Sequence, residues 1–121
     1  MRDFKRLDVW TRAVDLGEEV YKITKDFPGH EIYALTSQLR RASVSVSSNI
    51  AEGCGRRTSR DFVQFLYNAM GSLREVESQL IIASRLSYLS EDRLKELSAD
   101  IDKLSRMLNG FIDYISEQGS K

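Results

Sequence analysis

A single cysteine, Cys54, leaves no intrachain disulfide framework and no cysteine-based zinc knuckle. A single histidine, His30, cannot supply the two Glu-x-x-His helices of a bundle di-iron centre or the paired histidines of a zinc protease. No P-loop, dinucleotide-binding glycine motif or calcium loop occurs, so the standard nucleotide and EF-hand mechanisms have no foothold. No apolar run approaches the roughly 18 residues needed to cross a bilayer, and the opening MRDFKRLDVW lacks the apolar core of a secretory signal. The expectation is a soluble, cytoplasmic protein with no membrane partner. Basic and acidic residues balance at 18 each, and a formal charge of zero argues against a small, uniformly basic nucleic-acid binder.

What the chain does have is helical periodicity. At 121 residues and 41% hydrophobic content it suits one domain, 1–121, with 117–121 expected to fray. A first helix is predicted from about Asp8 to Asp26, with Leu7, Trp10, Ala13 or Val14, Gly17, Val20 or Tyr21, and Thr24 at helical spacing. Phe27-Pro28-Gly29-His30 supplies a turn, with Phe27 plugging the bundle end, and Glu31 is placed at the start of the second helix. There Ile32, Leu35, Leu39, Ala42, Val46 and Ile50 form the predicted core face. Gln38, Arg41, Ser45, Ser48 and Glu52 form a column beside that face, and Arg40, Val44, Ser47 and Ala51 fall nearly opposite it. The serines of this helix carry no general base or elbow motif that would make one a nucleophile.

Thr58 caps a third helix whose stripe is Phe62, Phe65 or Leu66, Ala69, Leu73, Val76, Leu80 and Ala83. Val63, Tyr67, Met70 and Ile81 lie well off that stripe. With Val44 and Ala51 they are the candidate contacts between subunits. Asn68, Ser72, Glu75 and Gln79 make a polar column that is either a satisfied helix–helix network or an exposed binding face. Gln38, Asn49, Glu52, Ser72 and Glu75 are the candidate network residues. Ser90 caps a fourth helix with the seam Leu94, Leu97, Ile101, Leu104, Leu108, Phe111 and Ile115. The fold class is all-α, an up-and-down four-helix bundle.

Charge is uneven along this neutral chain. Residues 31–60 hold five bases against two acids, whereas residues 91–121 hold seven acids against five bases. Arg40, Arg41, Arg56, Arg57 and Arg60 are therefore the candidate nucleic-acid contacts, because the planar guanidinium grips phosphate in a way lysine does not. Pairing with Glu52, Asp61 or acids of another subunit is the competing use of the same side chains.

A family resemblance runs through Phe4, Leu7, Val9 and Trp10; Phe27, Pro28 and Glu31; and Leu35, Gln38, Arg40 and Arg41. It is strongest at Asn49-Ile50-Ala51-Glu52-Gly53 followed by Gly55-Arg56, and continues through Gly71-Ser72-Leu73, Glu75 and Tyr88-Leu89. Over almost its whole length the chain resembles the small four-helix bundle proteins encoded by intervening sequences in bacterial 23S ribosomal RNA genes, the S23-like proteins. The resemblance implies a homopentameric, barrel-like assembly. Accessory proteins of diversity-generating retroelements look like members of the same broader group, which implies nucleic acid and a reverse transcriptase, or another protein, as partners. The resulting expectation is a noncatalytic homo-oligomeric scaffold, without a cofactor or metal, that binds RNA or DNA through its arginines. The alternative is an oligomeric protein-interaction module that does not touch nucleic acid.

Overall fold

The structure, a computed structural model, describes residues 2–119. It contains four long helices, α1 (Asp8–Thr24), α2 (Leu35–Cys54), α3 (Ser59–Arg85) and α4 (Glu91–Gly119), and no strand among the described residues. Each helix packs against its neighbours in the chain, and α4 closes back onto α1. Helices α1 and α3 are thus diagonal to one another, as are α2 and α4.

Helix α1 buries Val9, Ala13, Leu16, Val20 and Thr24. This stripe is rotated from the expected one: Leu7 and Trp10 are only half-buried, and Trp10 lies edge-on to Phe4 with ring centroids 5.1 Å apart. The Thr24 hydroxyl is tolerated inside because it donates to the Val20 carbonyl at 2.7 Å. Helix α2 begins at Leu35 and not at Glu31, because Gly29–Glu31 folds as a short 3-10 turn. Ile32 consequently falls outside the core, 44% exposed, and Glu31 accepts a hydrogen bond from the Tyr88 hydroxyl at 2.9 Å. Phe27 is buried at the bundle end against Tyr88, at 5.6 Å between centroids.

The caps at both later helices form as their sequences direct. The Asp61 amide donates to Thr58 Oγ1 at 3.1 Å, and the Arg93 amide donates to Ser90 Oγ at the same distance. Between α3 and α4, the Tyr88 amide donates to the Ala83 carbonyl while Ser87 takes a left-handed backbone, φ 65°. Along α4 the core passes from Leu108 to Ile112 and Ile115, leaving Phe111 half-buried against Phe62. Fraying was expected over 117–121, but the helix continues through Gly119, and Gln118 donates to the Tyr114 hydroxyl at 2.7 Å. Ser120 and Lys121 lie outside the described residues. No described helix is long and apolar enough to cross a membrane.

Helices α2 and α3 approach closely where Gly53 meets Phe62 and Phe65. A β-carbon at position 53 would stand 2.8 Å from the Phe62 ring and 2.9 Å from Phe65 Cβ. The missing side chain therefore sets the helix separation just below the Gly55-Arg56-Arg57 turn.

Candidate interaction surfaces

The five candidate arginines do not form one patch. From Arg41 to Cys54, α2 rises about 20 Å at 1.5 Å per residue, which separates Arg40 and Arg41 from Arg56, Arg57 and Arg60 at the far end of the helix. Arg40 does not lie opposite the core. It flanks α1, where its Nε donates to Thr24 Oγ1 at 2.9 Å and its guanidinium sits 4.8 Å from the Tyr21 ring centroid. That side chain ties α2 to α1. Arg56 rests 4.4 Å over the Phe65 ring, with Nη2 3.9 Å from the Glu52 carboxylate. Arg57 and Arg60 are exposed with no ion pair among the described residues, beside the positive N-terminal end of α3.

A polar groove of about 510 Å³ runs between α2 and α3, lined by Gln38, Arg41, Ala42, Ser45, Ser72, Glu75 and Gln79. Ser45 Oγ lies 2.9 Å from Ser72 Oγ, and the Asn49 amide donates to the Ser45 carbonyl and hydroxyl at 2.8 and 3.0 Å. Of the predicted network, Asn49 and Ser72 are joined through Ser45, Gln38 and Glu75 line the groove, and Glu52 is drawn away toward Arg56. Gln79 Oε1 is buried there without a hydrogen-bond donor.

The candidate oligomer contacts occupy two flanks. Val44, 45% exposed, joins Val14, Gly17 and Tyr21 in an apolar groove of about 350 Å³ between α1 and α2, and the half-buried Ala51 lies two turns further along α2. Tyr67, 55% exposed, and Val63 line a groove of about 360 Å³ with Ser116 and Gly119 of α4. Ile81 shares the α4-facing side of α3 with Arg74, which reaches Ser105 on α4 at 2.5 Å; Met70 packs partly into the core. Because α1–α2 and α3–α4 form opposite walls of the bundle, these two flanks face away from each other. At the end away from Arg56, Ile32, Tyr33, Ile82 and Leu86 are exposed, of which sequence reading singled out only Ile32, and placed it in the core. Ile32 continues the spacing of the α2 core face, and the start of α2 at Leu35 leaves it outside that face.

Cys54 is buried, and burial pushes its thiol above the usual range, with Arg2 pulling it back and Asp3 adding to the rise. No group of three or more His, Cys, Asp or Glu residues among those described is placed to hold a metal ion.

The sequence pattern of the 23S rRNA-intervening sequence proteins matches residues 5–110, nearly all of the bundle. The chain belongs to that family. The same fold appears in a Bacteroides thetaiotaomicron protein of unknown function from the S23 ribosomal protein family, with a TM-score of 0.76 at 20% identity over 86% of this chain and 97% of that one. At that identity the likeness speaks for the fold alone. No curated protein sequence matches this member of the 23S rRNA-intervening sequence family.

Proposed function

We propose that the chain is a noncatalytic, cytoplasmic homo-oligomeric scaffold that closes into a ring and holds RNA or DNA at its Arg56-Arg57-Arg60 end. By the family resemblance the ring is a pentamer. The observation that carries the assembly is the placement of exposed apolar side chains on opposite flanks, Val44 and Tyr21 on one and Tyr67 and Ile81 on the other. Two different patches facing opposite ways favour head-to-tail contacts, which close into a ring when the rotation from one subunit to the next divides a full turn. A ring repeats Arg56, Arg57 and Arg60 once per subunit around one end, so a neutral subunit yields a basic annulus suited to phosphate. Recognition is of charge and shape, since no groove-reading element accompanies the arginines.

Fluorescence anisotropy with labelled structured RNA and duplex DNA, at about 50 and 200 mM salt, tests this. Wild type should bind at low salt and release as salt rises, and Arg57→Ala with Arg60→Ala should weaken binding to both. Absence of low-salt binding refutes the nucleic-acid part. The exposed Ile32, Tyr33, Ile82 and Leu86, at the opposite end, favour a second reading in which that end docks a protein such as a reverse transcriptase. Under that reading Tyr33→Ser abolishes partner capture while nucleic acid has no effect.

A further inference from the structure

We propose that Arg41, on the α2 side of the polar α2–α3 groove, pairs with Glu75 of a second copy of the chain where α2 of one subunit meets α3 of the next. This deepens the self-association reading above and rests on it.

The groove is a ladder whose rungs follow from one contact. Ser45 touches Ser72, and α2 and α3 run antiparallel. Four residues back along α2 and three forward along α3, Arg41 therefore stands level with Glu75. The next rung sets Gln38 against Gln79. Arg41 and Glu75 are both exposed, carry opposite charge across one groove, and form no ion pair among the described residues. One turn from Glu75, Gln79 Oε1 is the one buried side-chain nitrogen or oxygen without a partner among the described residues.

A neighbouring subunit supplies the missing opposite charge to both Arg41 and Glu75. Contact between the Val44 flank of one subunit and the Tyr67 flank of the next brings α2 of the first against α3 of the second. That seam places a basic residue opposite an acidic one. The flat fork of a guanidinium suits two parallel hydrogen bonds to the Glu75 carboxylate.

Charge reversal tests the pairing. Arg41→Glu and Glu75→Arg should each raise the dissociation concentration of the assembly by on the order of tenfold or more, measured by analytical ultracentrifugation. The double reversal on one chain should recover most of the loss, while helical content by circular dichroism stays at the wild-type value in all three. Single reversals that assemble like wild type, or a double reversal no better than the singles, overturn the pairing alone. A wild-type chain that stays monomeric at every concentration overturns the self-association reading and this pairing together.

Discussion

Three helical glycines make the close approach of α2 and α3 measurable. Gly71 and Gly110 face open space, with no atom within 4 Å of an added β-carbon, and neither has a left-handed backbone. Alanine at either position should simply gain helix propensity, stabilising the fold by about 0.8–1.0 kcal/mol. Gly53→Ala starts with the same gain and then drives its methyl into Phe62 and Phe65. Phe62 is buried and held edge-on by Phe111 at 5.6 Å, and the Phe65 contact is to a β-carbon, which cannot swing away. Overpacking of this kind costs about 1–3 kcal/mol. Two rigid contacts place it in the upper part of that range, for a net loss of about 1–2 kcal/mol. Urea denaturation at one fixed protein concentration reads both signs, since assembly adds its own concentration-dependent stability. A Gly53→Ala midpoint at or above that of Gly71→Ala would refute the claim that position 53 sets the helix separation.

Other consequences are cheaper to check. Ser87→Gly should raise stability by up to about 1 kcal/mol in thermal melts, because φ 65° is a left-handed conformation that glycine adopts without strain. Arg40→Ala should lower the melting temperature and leave RNA affinity unchanged, whereas Arg60→Ala should do the reverse; matching effects from the two would undo their assignment to different roles. The Cys54 thiol has a folded-state pKa above its unfolded one, so its contribution to stability is complete below the ordinary thiol range and falls as pH rises through the folded value. Cys54→Ser should flatten that alkaline decline in urea titrations. In wild type the thiol should resist iodoacetamide until the chain unfolds.

The number of helices and most of their inward faces were legible because long stripes such as Leu97-Ile101-Leu104-Leu108 admit one period. The rotation of a stripe about its axis was less so. Periodicity allows Trp10 or Val9, and Phe111 or Ile112, and the choice falls to the neighbouring helix. The first turn of α2 was misplaced because apolar Ile32 extends the pattern of a helix that begins at Leu35. Arg40 read as free because a side chain that reaches across to Thr24 leaves no mark in its own sequence neighbourhood. The clustering of five arginines was a property of chain position, which a helix of 20 residues pulls apart in space. The orphaned oxygen of Gln79 is visible only once the groove around it exists.

Head-to-tail assembly requires two different flanks that bind each other, and light scattering coupled to size exclusion tests this most directly on wild type, Val44→Asp, Tyr67→Asp and an equal mixture of the two variants. Wild type should elute at several times the mass of one chain, and each variant alone at the mass of one chain. The mixture should give twice that mass, because each variant retains the flank its partner lacks and one contact can form. A monomeric wild type, or a mixture that behaves as its separate components do, would contradict head-to-tail assembly through these flanks.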